Sequence, residues 1–363
     1  MKICLIGKNL TNFVLAKNLA NKNINVDIIC DKKKKIENSQ RTLGISKDNF
    51  DFLLNVNKKM KISAWPIKNI KIYNDKSHSK EFLEFNNKNK KNFFLVKYID
   101  ILNSFEKFCK KNKNIKMLNV NYQSEEKQYY LKKKYKLIIN SDKSNNYNKK
   151  YLNKKIEKNY NSVAYTGILI HERKVNYEAI QIFTKYGPLA FLPLSTNKTS
   201  IVFSILNDFK LNREQIYNLI KKYNFKYKIK KIYKIDSFEL KSYNLRSYHN
   251  NNILAFGDLL HRIHPLAGQG FNMTIRDLKV LIDIIKNKFE LGLPIDSSVN
   301  EEFEKSLKHK NFIFTNGIDL IHNLFNLDRK IKNNLLSKSI QLIGKNYSVN
   351  KMFMKIADKG ILF

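Results

Sequence analysis

Apolar residues fall into short blocks at the start of the chain. Lys2–Ile6 and Asn25–Cys30 are each a mostly apolar run of strand length, and the second ends in Asp31. Between them, residues 11–21 place Phe13, Val14, Leu15, Leu19 and Ala20 at helical spacing. Short apolar runs fit strands buried on both faces, and strand, helix, strand in succession predicts a βαβ unit. In Tyr98–Lys111, Ile99, Leu102, Phe105 and Phe108 recur every third position with polar residues between, which predicts an amphipathic helix. Residues 136–140 and 252–257 predict two more buried strands, and 211–223 and 271–288 predict helices. The middle of the chain changes character. VAYTGILI, EAIQIFT, LAFLPL and SIVFSIL, between Val163 and Leu206, are separated by turn-forming residues and predict an antiparallel sheet. The Lys/Asn-rich stretch 144–158 predicts an exposed loop. From Glu301 onward, Phe303, Leu307, Phe312, Leu320, Ile321, Leu324 and Phe325 keep a helical period.

Length and composition refine this α/β picture. A chain of 363 residues accommodates two domains, or one large domain with an inserted sheet, and 43% apolar residues supply a core. The net charge is +37, from 68 Lys+Arg against 31 Asp+Glu. Such an excess raises nucleic-acid binding, but the lysines are spread along the chain, as in NKNKKNFF and SNNYNKKYLNKK, and arginine is scarce. Nucleic-acid domains concentrate charge and favour the arginine fork, so the bias reads as compositional and no nucleic-acid partner is expected. Attraction to anionic lipid headgroups is the other use of such a surface. Cys4, Cys30 and Cys109 show no CxxC spacing and read as buried small hydrophobes of a reduced, cytoplasmic compartment. The opening MKICLIGKNL is too short for a signal peptide, and no apolar stretch approaches spanning length.

The strongest chemical signal is GDLLHRIHPLAGQGFNMTIRD, residues 257–277. An apolar strand ends at Gly257–Asp258, a loop follows with Pro265, Ala267, Gly268 and Gly270, and a helix begins near Phe271. A carboxylate at a strand end accepts hydrogen bonds from ribityl or ribose hydroxyls. Glycines let the backbone approach a planar ring, and a helix N-terminus faces developing negative charge. His261 and His264 form an HxxH pair with no further Cys/His cluster nearby, so no metal is expected.

This segment resembles the GD-type FAD motif of the group A flavoprotein monooxygenases, and HPLAGQG resembles the subfamily that hydroxylates ubiquinone precursors. His171–Glu172, Phe183–Thr184 and GPLAFLPL are similar to the part of that family's sheet that roofs the substrate pocket. RTLGIS at 41–46 is similar to its early arginine segment. The resemblance implies a Rossmann-like FAD-binding domain from 1–75, 95–150 and 245–300. It implies a mixed β-sheet substrate domain from 76–94 and 151–244, and a helical C-terminal tail at 301–363. It places Gly7, Asn9, Asn12, Asp31, Arg41, Asp142, Gly257, Asp258, Pro265, Gly268, Gly270 and Asn272 at FAD, and His264, Phe191 and Pro193 at the substrate pocket. No side chain is assigned as an acid or base.

It further implies hydroxylation of a polyprenylated phenol in ubiquinone biosynthesis, with NAD(P)H and oxygen, through a C4a-hydroperoxyflavin. The expected setting is the inner face of the cytoplasmic membrane, peripherally bound or within a quinone-biosynthesis complex. Two alternatives stand beside this: a different aromatic substrate, and a flavin-free scaffold subunit. The second is raised by departures from the family pattern. The GxGxxG fingerprint keeps Gly7 but has Asn9 and Asn12, and the Asp-Gly motif reads Asp142–Lys143. Asp31, 24 residues after Gly7, fits the ribose-binding acid. Asparagine tolerates left-handed backbone better than most residues. Even so, a side chain at 9 is expected to intrude on the diphosphate and one at 12 to hold the helix off the strand, loosening FAD by about 1–2 kcal/mol.

Overall fold

The structure is a computed structural model that describes residues 2–31, 41–60, 62–75, 83–86, 93–120, 124–143, 146–233, 235–264 and 268–330. Among them are eight helices: α1 (Leu10–Ala20), α2 (Lys47–Val56), α3 (Tyr98–Lys111), α4 (Glu125–Lys134), α5 (Asn146–Tyr151), α6 (Arg213–Tyr223), α7 (Gln269–Glu290) and α8 (Ser297–Lys330).

The two leading apolar strands pair in parallel, Lys2 opposite Asn25 through Ile6 opposite Ile29. Ile115–Asn119 extends that sheet on one side, and Ile138–Asn140 followed by Ile253–Ala255 extends it on the other. In chain order the five parallel strands lie 3-2-1-4-5, with the short antiparallel strand His249–Asn250 at the edge. The direction of winding therefore reverses between Lys2–Ile6 and Ile138–Asn140. In open α/β sheets the crevice at the carboxyl ends of such a pair is where ligands bind. The central strands Lys2–Ile6, Asn25–Cys30 and Ile253–Ala255 are mostly apolar and buried, as expected where helices pack on a parallel sheet. α1 is buried nearly all round, packed against α3 and α7.

The nine-stranded second sheet has Lys155–His171 as its spine, antiparallel to Lys198–Leu206, Asp236–Leu245 and Ile229–Ile232. The four strands expected between 163 and 206 are all present, and Asn69–Asn74 joins Glu178–Thr184 in parallel. Within the loop expected at 144–158, Asn146–Tyr151 forms α5 and Lys155 begins the long strand. Tyr147, Asn148 and Leu152 are buried there and anchor the segment, while Lys149 and Lys150 face solvent. The Lys/Asn composition thus marked an exposed face rather than an absence of regular structure.

α6 covers one face of this sheet, setting Ile216, Ile220 and Tyr223 against Leu169, Ile182, Leu189, Phe191, Ile201 and Phe203. Strand side chains alternate between faces. The residues between these therefore belong to the other face: Gln181, Ala190, Val202 and Thr166 are cross-strand neighbours in one row, and all are only partly buried.

A third sheet, of Thr42–Ser46, Phe93–Lys97 and Ala64–Ile67, packs its apolar residues Ile67 and Leu95 against Ala179 and Leu192 of the large sheet. α7 and α8 run on from the glycine-rich segment, each starting slightly earlier than the apolar period suggests. His261 Nε2 lies 2.5 Å from Asp277 Oδ2 on α7, and Asn311 of α8 donates to the other Asp277 oxygen at 3.2 Å. His261 is committed to this buried junction. The part of the expected tail beyond Lys330 lies outside the described residues.

Candidate functional site

The chain leaves its first strand through Gly7, at φ +115°, a conformation costly for any residue with a Cβ. A Cβ there would lie 3.0–3.3 Å from Asn9, Ser141 and Asp142. The Gly7 N–H also bonds the Ile29 carbonyl at 3.0 Å, which holds the turn against the end of the second strand, where partly buried Asp31 follows. Gly7, Asn9, Asn12 and Asp142 are thus brought together at the point where winding reverses.

The two asparagines differ from expectation. Asn9 has extended backbone, φ −149°, and is the N-cap of α1. Its Oδ1 accepts the Asn12 N–H at 3.1 Å and its Nδ2 donates to Ser141 Oγ at 2.7 Å. Asn12 is fully buried and donates from Nδ2 to the carbonyls of Ile6 (2.9 Å) and Gly7 (2.8 Å). It ties helix to strand rather than separating them, because the carboxamide supplies donors where contact with glycine would supply none. Asp142 is buried, its N–H bonded to Asn140 Oδ1 at 3.1 Å and its carbonyl to Asn148.

A second group of residues lies beside the first. Gly257, at φ +61°, packs within 3.5 Å of Thr11 on α1, with allowance for a Cβ. Asp258 follows it. Its side chain is 55% accessible. Desolvation raises its pKa, but Lys143 first, then Arg41, His261 and Arg262, outweigh that and hold the carboxyl below the usual range. Lys143 Nζ stands 3.5 Å from Asp258 Oδ2. Crowding lowers the Lys143 pKa despite Asp258. Tyr243 donates its hydroxyl to the Asp258 carbonyl. Arg41 lies over the ring of Tyr98, 5.4 Å from its centroid, and the Tyr98 hydroxyl takes a hydrogen bond from the Leu10 backbone at the head of α1. Lys143, Tyr98 and Tyr243 were not singled out in the sequence. Only Lys143 left a signal, as the charged residue where a glycine was expected.

Of the remaining candidates, Pro265 lies outside the described residues. Gly268, at φ +64°, precedes α7 and faces the Gly44 backbone. A Cβ at Gly270 would meet only Ile263 at 3.9 Å, so protein packing does not require a glycine there. Asn272 is fully engaged with protein: Oδ1 accepts from Ser46 N (2.9 Å) and Asn49 Nδ2 (3.1 Å), and Nδ2 donates to the Gly44 (2.9 Å) and Gly268 (3.2 Å) carbonyls. The side chain thus braces α7 against the Thr42–Ser46 strand. His264 is buried, with its ring edge-to-face on Tyr160 at 4.6 Å. Phe191 is buried in the core beneath α6, 6.0 Å from the Tyr227 ring, and alternation places Pro193 on the same face. Both therefore point away from the row of Gln181, Ala190, Val202 and Thr166. A two-residue period identifies which side chains share a face but not which way that face looks.

Residues 210–288 match the model of the FAD binding domain family. A mitochondrial ubiquinone biosynthesis monooxygenase of Schizosaccharomyces pombe is 24% identical over 274 residues, 62% of this chain and 57% of that protein. A 3-demethoxyubiquinol 3-hydroxylase of Escherichia coli is 33% identical over 150 residues, 39% of this chain and 38% of that protein. The chain thus spans little more than half the length of the first and less of the second. Among solved structures, a p-nitrophenol 4-monooxygenase from Pseudomonas putida superposes with a TM-score of 0.75 at 10% identity, covering 99% of this chain and 98% of that one. A Klebsiella pneumoniae protein complexed with FAD and uric acid superposes at 0.62 with 11% identity, covering 99% and 93%.

A parallel sheet with a glycine turn at its switch point, joined to a large mixed sheet, is the fold of the FAD-dependent oxygenases. Within that class the FAD binding domain match and the sequence relatives, a ubiquinone biosynthesis monooxygenase and a 3-demethoxyubiquinol 3-hydroxylase, support a group A flavoprotein hydroxylase.

Proposed function

We propose that this protein is a FAD-dependent hydroxylase of the aromatic ring of a polyprenylated phenol in ubiquinone biosynthesis, with NAD(P)H as transient reductant. The observation that carries the reading is Asp258, an accessible carboxylate at the strand end, paired with Lys143, which follows the Asp142 that lines the Gly7 turn. The residues fit FAD well at one end. Asp258 accepts from ribityl hydroxyls, Gly270 leaves room for a close approach, and the head of α7 presents backbone N–H groups to the electron-rich edge of the ring. Gly7 and the partly buried Asp31 suit the diphosphate and ribose. The fit is poorer at Asn9, whose side chain already holds the Asn12 N–H that a phosphate oxygen would accept from.

FAD supplies the redox and oxygen-transfer chemistry when bound. The chain's own part is to hold the cofactor and the ring and to keep water out. The partly buried row of Gln181, Ala190, Val202 and Thr166 offers a surface of small apolar and polar side chains for an aromatic ring, and this face stands in the reading of the pocket in place of the one bearing Phe191 and Pro193. His264 is kept at the pocket's edge. The lipid nature of a polyprenyl substrate supports peripheral attachment to the membrane or to a quinone-biosynthesis complex.

The test is direct. The purified protein should be yellow and release FAD on denaturation, and a strain lacking the protein should accumulate an under-hydroxylated quinone precursor. A colourless protein that takes up no FAD would favour the scaffold reading, which the protein-bound Asn9 and Asn12 keep in view.

A further inference from the structure

The head of α1 is short of free donors for an anion, and a residue outside the glycine fingerprint stands where it can make good the shortage. Lys143 follows Asp142, whose Cβ lines the Gly7 turn, and its side chain reaches to Asp258 on the neighbouring strand end. It therefore spans the two groups of site residues. Its ammonium is 6.0 Å from the Tyr243 ring centroid, and 42% of its side chain is accessible. Arg41 and Arg262 act electrostatically on the same carboxylate in the same direction as Lys143. An ammonium has three donors, so pairing with Asp258 leaves capacity for a second acceptor.

We propose that Lys143 is a cofactor-positioning residue, pairing with the diphosphate of FAD in place of the backbone contact that Asn9 takes up. The inference rests on the FAD reading above. A charge-assisted contact to phosphate is stronger than a neutral hydrogen bond and, at a partly accessible site, sensitive to salt. Riboflavin has the ring and ribityl chain but no phosphate, so it separates this role from a mere steadying of Asp258.

The experiment is a fluorescence titration of the full-length apoprotein with FAD and with riboflavin, at about 50 and about 500 mM salt. Wild type is compared with Lys143→Gln and Lys143→Arg. The expected result is an affinity loss of about tenfold for FAD in Lys143→Gln at low salt, shrinking at high salt. Riboflavin affinity should be unchanged, and Lys143→Arg should bind FAD nearly as wild type does. Wild-type FAD affinity in Lys143→Gln would overturn the proposal, as would equal losses for FAD and riboflavin, which would reduce Lys143 to a support for Asp258. Failure of the wild type itself to take up FAD would overturn the flavin reading and this inference with it.

Discussion

Asp258 and the two asparagines of the α1 turn carry opposite expectations. Asp258→Ala removes a polar contact worth about 1–3 kcal/mol, so FAD affinity should fall about tenfold to a hundredfold and hydroxylation should be lost. Flavin content at the wild-type level in that variant would refute the assignment. Asn9→Gly should act the other way. As an N-cap replacement it costs only a few tenths of a kcal/mol, and it frees the Asn12 N–H now held at 3.1 Å. Tighter FAD binding in a titration is the expected outcome, and unchanged or weaker binding would mean the carboxamide itself serves the cofactor. Asn12 is a different case because it bonds two main-chain carbonyls from a fully buried site. Asn12→Gly should lower stability by about 1–3 kcal/mol, read as an earlier urea midpoint with an unchanged slope. A neutral effect would show that packing, not these bonds, joins α1 to the strand.

At the level of elements, α7 is positioned by its first turn and by its middle. Asn272 joins it to Thr42–Ser46 and α2 through three hydrogen bonds and donates a fourth to the Gly268 carbonyl. Asn272→Ala should therefore cost about 2–4 kcal/mol of global stability, with the loss visible in the apoprotein. If the apoprotein melts normally and only FAD binding suffers, Asn272 is a cofactor contact after all. Further along, Asp277 is buried between His261 and Asn311. Removing one partner of a buried pair strands the other, at a cost of about 3–5 kcal/mol. Thermal melting of His261→Ala should show this, and a metal-binding role for His261 is not needed to explain its place.

Across the whole molecule the dominant feature is charge. No described helix is long and apolar enough to cross a membrane. Exposed Tyr129 and Tyr130 on α4 are 60% and 61% accessible, with the ammoniums of Lys133 and Lys134 at 4.7 and 5.7 Å from their ring centroids. Tyrosine suits a membrane interface, and each lysine near an anionic surface contributes about 1 kcal/mol. The protein should co-sediment with liposomes that contain anionic lipid at low salt and be released at high salt. Equal binding to neutral liposomes, or none at low salt, would dispose of electrostatic attachment.

Local patterns were enough for the parallel strands, the run of antiparallel strands between 163 and 206, and the Gly257–Asp277 segment. Continuous apolar runs, alternation and glycine placement are properties of neighbouring residues, so they are legible in order along the chain. The convergence of Arg41, Tyr98, Lys143 and Tyr243 around Asp258 was not, since these residues come from distant segments beside three different sheets and meet only when those sheets pack together. Tertiary structure also decided the face of Gly187–Pro193. Alternation grouped Phe191 with Pro193, but only the packing of α6 determined that their side is core and that Ala190 looks outward. The same holds for Asn12 and Asn272. Composition marks them as polar residues near a glycine turn, whereas the carbonyls they bond become available only when helix and strand are brought together.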